Sequence, residues 1–170
     1  MGKILVTGGA GYVGSGLLRE LLSNGYSVTC VDNLMFGGES LLDIWHKDNF
    51  TFIKCDINDW GKFSNVLTDN NYDAVIHLAA ITDAAGSFDR AEELENNNYQ
   101  STVKVANACI ETGSSLIALS STSVYGTQND VVDEECSEKE LQPQSPYATT
   151  KLKEEELIAK LSKEKGLKVI

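Results

Sequence analysis

The chain has 170 residues, 42% of them hydrophobic, which is enough to bury one core of ordinary domain size. Its 25 acidic and 14 basic side chains give a formal net charge of -11, which repels phosphate backbones and anionic lipid headgroups. We therefore expect neither nucleic acid nor a membrane surface as a partner. The four cysteines are far apart and no leader-like segment opens the sequence, so a reducing cytoplasm is expected. The histidines and cysteines lack metal-ligand spacing, and no metal site is predicted.

Short apolar runs alternate with segments of helical periodicity along the chain. The first unit is predicted as a strand, a tight turn and a helix that ends at Asn24-Gly25, with a parallel strand directly after it. Later, Ser145 and Pro146 are predicted to begin a helix as its N-cap and first residue. Strands are predicted over residues 4–6, 27–31, 51–54, 74–78 and 116–119, and helices over 13–22, 60–68, 90–112 and 147–165. This alternation predicts an α/β fold with a doubly wound parallel sheet of the Rossmann type.

Two segments do not fit the alternation. Residues 33–49 and 127–145 are predicted as surface excursions near strand ends, where such sheets build their sites. Loop insertion without function is an equally good interpretation of both. The last residues, 168–170, follow the turn residue Gly166 and are predicted to open a sixth strand.

A glycine-rich turn joins the first predicted strand to the first predicted helix. Gly8, Gly11 and Gly14 can turn tightly, let a pyrophosphate approach the backbone and seat the helix against the sheet. The backbone N–H groups and the positive dipole end of this helix, at Tyr12 and Val13, would then bind the phosphates. The turn therefore predicts a dinucleotide site, although glycine also serves ordinary tight turns.

Asp32 follows the second predicted strand, 18 residues after Gly14. A carboxylate there accepts hydrogen bonds from the hydroxyls of an adenosine ribose and repels a 2′-phosphate. Since no Arg or Lys lies between Asn33 and Ser40 to neutralise such a phosphate, NAD is favoured over NADP. The alternative is that Asp32 only caps a turn.

Tyr147 and Lys151 form a Y-x-x-x-K spacing on the last predicted helix. Residues four apart share a helix face, so an ammonium would stand beside the phenol and help it act as a base near neutral pH. Taken alone, this pair is more often an exposed tyrosine and a solvated lysine.

These motifs occur in order across nearly the whole chain, together with Asp56-Ile57, His77-Leu78-Ala79-Ala80 and the segment from Ser120 to Gly126. In this combination the sequence resembles the extended short-chain dehydrogenases/reductases, specifically the NAD-dependent sugar-nucleotide epimerase and dehydratase group. One departure is Ser101, which stands where the family usually has glycine.

The resemblance implies a role for each matching residue. Tyr147 would be the general base, Lys151 would bind the nicotinamide ribose and lower the pKa of Tyr147, and Ser121 would hydrogen-bond the substrate hydroxyl. Asp56 and Ile57 would embrace the adenine. The remaining cofactor contacts that the resemblance implies are Asn33, Leu78, Ala79, Ala80 and Asn98.

The resemblance also implies an enzyme that moves a hydride between a nucleotide-activated sugar and NAD through a transient 4-keto sugar. Thr122-Ser123 stand where the dehydratase branch has an Asp-Glu pair, so epimerisation is favoured over dehydration. Dehydration, reduction and decarboxylation stay open as alternatives. Two further classes of protein stay open, a non-catalytic NAD-binding regulatory module and an oxidoreductase of a steroid-like or flavonoid-like alcohol. Residues 1–170 would be the NAD-binding domain, cut off at the sixth strand, without the C-terminal substrate lobe. Homodimerisation through the long helices is a further family expectation.

Overall fold

The computed structural model describes residues 2–127, 132–134 and 136–170. A parallel sheet of five strands lies at its centre, in the order β3-β2-β1-β4-β5, which confirms the doubly wound α/β fold. The strands are β1 (Lys3–Thr7), β2 (Ser27–Asp32), β3 (Phe50–Lys54), β4 (Ala74–His77) and β5 (Ser115–Ala118). Each predicted strand is present within one residue at either end.

The described residues form five α-helices: α1 (Tyr12–Ser23), α2 (Trp60–Thr68), α3 (Ala91–Leu94), α4 (Gln100–Thr112) and α5 (Pro146–Lys165). The predicted start of α5 is confirmed, because the Ser145 side chain accepts the Ala148 N–H at 3.1 Å and Pro146 opens the helix. Gly113 and Gly166 end α4 and α5 with φ of 75° and 70°, a left-handed conformation that glycine adopts without strain. None of the helices that the structure describes is long and apolar enough to cross a membrane.

The prediction of one α-helix over residues 90–112 was wrong in its middle. Arg90 belongs to a preceding 3₁₀ segment, Gly86–Arg90, and a π-helical turn, Glu95–Tyr99, separates α3 from α4. The Asn98 amide in this turn hydrogen-bonds the backbone of Ile81, and the Ser101 hydroxyl donates to the carbonyls of Asn97 and Asn98. These side-chain bonds compete with regular i→i−4 pairing, and periodicity does not report them.

The sheet has a hydrophobic core on each face, because successive strand residues point to opposite sides. Leu5, Val75 and Leu116 pack on the side of α2, α4 and α5, whereas Ile4, Val6 and Ile76 belong to the core on the side of α1. Both faces are covered, as a parallel sheet requires.

The C-terminal residues pair with β5. Val169 forms an isolated parallel bridge with Leu116, whose N–H donates to Lys168 O at 2.8 Å and whose carbonyl accepts the Ile170 N–H at 3.1 Å. The predicted start of a sixth strand is therefore present as a bridge. Of the predicted excursions, residues 33–49 contain one short 3₁₀ turn, Glu39–Leu41, and residues 128–131 and 135 of the second lie outside the described residues.

Candidate functional site

The predicted site residues gather along one edge of the sheet. The strands are parallel and in register, so the segments that follow them meet at the carboxyl edge. The strand order reverses between β1 and β4, the position where such sheets bind ligands. Grouped by the strand they follow, the predicted site residues at this edge are Gly8, Gly11, Tyr12, Val13 and Gly14 after β1; Asp32 and Asn33 at the end of β2; Asp56 and Ile57 after β3; Leu78, Ala79 and Ala80 after β4; and Ser121 after β5.

Two glycines of the turn after β1 fit against backbone that a side chain would strike. Gly8 has φ +71°, and a Cβ there would lie 2.7 Å from the Ala79 nitrogen. A Cβ on Gly14 would lie 2.5 Å from Gly8 O and 2.6 Å from the Gly9 Cα, so this glycine lets α1 approach the turn. Both contacts are too short for any L side chain. The glycines therefore set the shape of the turn.

The N-terminus of α1 is open to an anion. Its N-cap is Gly11, which supplies no side-chain oxygen, and its first turn holds no acidic residue. Tyr12 is 98% exposed and Val13 54%, so neither side chain covers the first turn. The leading N–H groups of a helix lack intrahelical partners and carry the positive end of its dipole, which together form an anion site.

Asp32 connects the glycine turn to the segment after β2. Its two carboxylate oxygens accept the N–H groups of Ala10 at 3.0 Å and Leu34 at 2.8 Å. The neighbouring Asn33 amide donates to Asp56 at 3.2 Å, so the segments after β2 and β3 meet. Carboxylate oxygens have further lone pairs, so these bonds leave Asp32 able to accept from a ribose hydroxyl.

A set of polar contacts that the sequence analysis did not predict holds the excursion of residues 33–49 against the glycine turn after β1. The Ser40 hydroxyl donates to Ala10 O at 2.7 Å, and Arg19 on α1 donates to Ser40 O at 2.9 Å and forms an ion pair with Asp43 at 2.6 Å. The N–H and the carbonyl of Ala10 are therefore both hydrogen-bonded. In the sequence, the only indication of these bonds is that Arg19, Ser40 and Asp43 are polar.

The Thr7 hydroxyl organises the segment after β4. It contacts His77 Nδ1 at 2.8 Å and accepts the N–H groups of Leu78 and Ala79, each at 3.2 Å. Ala80 follows, half-buried. Across the sheet, Ile57 is 6% exposed and belongs to the core, so only its backbone is placed to contact a ligand.

Asn98 acts through the backbone of Ile81. Its carboxamide accepts the Ile81 N–H at 2.8 Å and donates to the Ile81 carbonyl at 2.9 Å, with only 1% of the residue exposed. Ser101, where the resembled family has glycine, is accommodated because its hydroxyl bonds the π-helical turn and lies 3.4 Å from His77 Nε2. Asn98 is therefore placed to hold the segment after Ala80 rather than to reach into the site itself.

Ser121 is the N-cap of a 3₁₀ turn, Thr122–Tyr125, and lies three residues after the end of β5. Its hydroxyl oxygen accepts the backbone N–H of Ser123 at 3.2 Å and the Ser123 hydroxyl at 2.9 Å. Two bonds into the oxygen leave the Ser121 proton available for another acceptor. This hydroxyl can therefore donate to a substrate oxygen.

Tyr147 and Lys151 lie on the buried face of α5, 9% and 7% exposed. The Lys151 ammonium donates to Leu119 O at 3.1 Å and to the Glu154 carboxylate at 2.9 Å. The solvated lysine considered from the sequence is thus excluded. Glu154, one turn further along α5, is a residue that the sequence analysis did not single out, although its i+3 spacing from Lys151 was visible.

Comparison with known proteins gives the family. Residues 4–170 match the NAD dependent epimerase/dehydratase family. The chain belongs to that family. A rice (Oryza sativa subsp. japonica) UDP-glucose 4-epimerase 2 is 33% identical over 162 residues, which are 91% of this chain and 39% of the rice protein.

Two solved structures of relatives share the fold. The UDP-Glc/GlcNAc 4-epimerase from Campylobacter jejuni matches with a TM-score of 0.89 and 30% identity, over 96% of this chain and 50% of its own. DesIV, a dTDP-glucose 4,6-dehydratase from Streptomyces venezuelae, matches with a TM-score of 0.87 and 28% identity, over 98% and 53%. The chain therefore spans about half the length of these epimerase/dehydratase structures.

NAD, the cofactor of this epimerase/dehydratase family, fits the residues present. Gly8 and Gly14 allow the tight backbone packing that shapes the turn, and the uncapped start of α1 suits a pyrophosphate. Among the residues that the structure describes, no cluster of three or more His, Cys, Asp or Glu could hold a metal ion.

Proposed function

We propose that this chain is the cofactor-binding part of an NAD-dependent sugar-nucleotide epimerase, with Tyr147 as the general base. The observation that carries the proposal is the buried pair of Tyr147 and Lys151 on α5, with Lys151 bonded to Leu119 O, two residues before Ser121, at the sheet edge that the glycine turn also follows. A module that only bound the cofactor would not need a base beside it.

The glycine turn and the first N–H groups of α1 would hold the pyrophosphate of NAD. Asp32 would accept the hydroxyls of the adenosine ribose, and its negative charge disfavours the extra phosphate of NADP. Asn33, Asp56 and the Ile57 backbone would border the adenine. The segment from Leu78 to Ala80 would line the groove, held in place by Thr7 and Asn98.

When bound, NAD supplies reversible hydride acceptance at a sugar carbon. The Tyr147 oxygen would take the proton of the sugar hydroxyl, and the Ser121 hydroxyl would donate to the same substrate oxygen. The Lys151 ammonium would hold the nicotinamide ribose and favour the ionised phenol, since a nearby positive charge stabilises phenolate. Burial of both residues on α5 limits competing water.

Epimerisation is favoured over dehydration by the two residues after Ser121. Thr122 and Ser123 carry hydroxyls, so neither supplies the carboxyl acid and base that an elimination uses. Dehydration is the alternative, because one structural relative is a dTDP-glucose 4,6-dehydratase. The substrate is proposed to be a nucleotide-activated sugar, as the names of the epimerase relatives indicate.

The test compares Tyr147→Phe with Lys151→Ala. Calorimetry should show that Tyr147→Phe binds NAD almost as tightly as the original chain, whereas Lys151→Ala binds it more weakly. Interconversion of UDP-glucose and UDP-galactose is then measured in a version completed with the C-terminal half of the Campylobacter jejuni relative. Loss of the base should slow turnover ~10² to 10⁴-fold in Tyr147→Phe.

The pH dependence of turnover separates the two roles. The loss in Lys151→Ala should be partly recovered at high pH, where the phenol ionises unaided, and the loss in Tyr147→Phe should not. Near-normal turnover of the Tyr147→Phe enzyme would show that another residue is the base.

We also propose a homodimer formed through α4 and α5. These helices pack together on one face of the sheet and carry half-buried apolar side chains, Val103 and Ile110 on α4 and Leu157 on α5. Pairing with a second copy would remove that surface from water.

A further inference from the structure

Glu154 shares the buried face of α5 with the proposed catalytic residues. It lies seven residues after Tyr147 and three after Lys151, spacings that bring side chains to the same side of a helix. Only 4% of Glu154 is exposed, and its Oε2 is 2.9 Å from the Lys151 ammonium. A carboxylate so deeply buried costs free energy unless it is paired, and Lys151 is a partner that favours its charged form.

The Lys151 ammonium has three N–H donors. Leu119 O takes one at 3.1 Å and Glu154 takes the second. One N–H is left without a partner among the described residues. The ammonium is therefore fixed between the end of β5 and α5, with a single donor to offer a ligand.

Among the described residues, the charges that act on Glu154 are those of Lys151 and Glu155. On α5, Glu155 is engaged by the Ser120 hydroxyl. From β4, burial and the Lys151 charge lower the pKa of His77 to about 3, so its ring is neutral near pH 7. From α4, the Thr102 hydroxyl favours the charged form of Glu154, yet Oε1 forms no hydrogen bond among the described residues. Burial raises the pKa of Glu154, and Lys151 opposes that rise.

We propose that Glu154 is a positioning residue that fixes the Lys151 ammonium and limits the positive charge that reaches the Tyr147 phenol. This inference rests on the proposed function, because it assigns Glu154 a role through the proposed base. Physically, a carboxylate in contact with the ammonium cancels part of its field at the phenol. Glu154 is therefore proposed to modulate the effect of the Lys151 charge on the base.

The test follows the ionisation of Tyr147 directly, without substrate or turnover. Phenolate absorbance is titrated against pH in the purified protein, and the same titration of a Tyr147→Phe version is subtracted to isolate this tyrosine. Glu154→Gln removes the negative charge and should lower the pKa of Tyr147 by about one to two units. Glu154→Asp keeps the charge and should restore most of the original value. Glu156→Gln, which removes an exposed carboxylate from the same helix, is the matched control and should leave the pKa of Tyr147 unchanged.

An unchanged Tyr147 pKa in folded Glu154→Gln, or an equal shift in Glu156→Gln, overturns the proposal. If Glu154→Gln does not fold, Glu154→Met fills a similar volume without polar atoms and should give the same downward shift. Failure of both variants to fold would also overturn it, because the carboxylate would then serve folding alone. The proposed function fails by a different observation, the near-normal turnover of Tyr147→Phe.

Discussion

His77 lies beneath the carboxyl edge of the sheet, 7% exposed and bonded to the Thr7 hydroxyl. Burial and, secondarily, the charge of Lys151 lower its pKa from 6.5 to about 3. Between these values the unfolded chain binds a proton that the folded chain does not. The contribution to stability is thus complete above pH ~6.5 and is lost progressively as the pH falls towards ~3.

We predict that the free energy of unfolding falls by roughly 2 kcal/mol between pH 7 and pH 5 because of this one residue. Denaturant unfolding at both pH values should show the fall in the original chain and in His46→Gln, since His46 is exposed. In His77→Gln the difference between the two pH values should shrink by about that amount. An equal difference in all three proteins would contradict the burial of a neutral His77.

At the scale of single residues, the sequence predicted which positions meet at the sheet edge but not how they are bonded. Tyr147, Lys151 and Ser121 were identified from the resemblance to a known family. Glu154 was not, because a glutamate in a charged run is usually solvated, and its burial depends on the tertiary packing of α5. The contacts of Asn98 and Ser101 likewise depend on tertiary neighbours that no local pattern encodes.

At the scale of elements, the glycines of the β1–α1 segment have different tasks. A Cβ at Gly14 strikes the backbone of Gly8 and Gly9, whereas one at Gly11 meets only Gly8 O at 3.2 Å. Gly16, exposed within α1, has nothing within 4 Å. The space around each glycine therefore distinguishes three cases. Gly14 lets α1 pack against the turn, Gly11 faces the anion site, and Gly16 is dispensable.

We predict three distinct outcomes from unfolding and NAD calorimetry. Gly14→Ala should lose about 1–3 kcal/mol of stability by overpacking. Gly11→Val should fold but lose NAD binding, because its side chain blocks the approach of the pyrophosphate. Gly16→Ala, the matched control, should gain about 0.5–1 kcal/mol and keep NAD affinity. If Gly11→Val bound NAD normally, the phosphate site would lie elsewhere.

Element boundaries were predictable wherever a local signal sets them. Ser145, Pro146 and Gly166 begin and end α5 through capping and left-handed geometry, which the sequence shows. The π-helical turn at Glu95–Tyr99 carries no such signal, because its extra residue is stabilised by the bond between Asn98 and Ile81, a segment 17 residues away.

At the scale of the whole molecule, the net charge of -11 opposes the proposed self-association. Salt screens this repulsion but leaves the apolar contact between the α4 and α5 surfaces of two copies intact. Sedimentation equilibrium should therefore give a mass rising from 18.5 kDa towards about twice that value, and more readily at higher ionic strength. Val103→Lys should keep the chain monomeric with an unchanged circular dichroism spectrum. A single-chain mass at all concentrations and salt levels would contradict the dimer.

A chain of polar contacts runs from Thr7 on β1 through His77 to Ser101 on α4. The Thr7 oxygen accepts from Leu78 and Ala79, which favours donation of its own hydrogen to His77 Nδ1 and a proton on Nε2 of the imidazole. That proton faces the Ser101 oxygen, whose hydrogen is in turn donated to the π-helical turn. This tautomer satisfies every contact in the chain, so the ring dipole points from β1 towards Ser101 on α4.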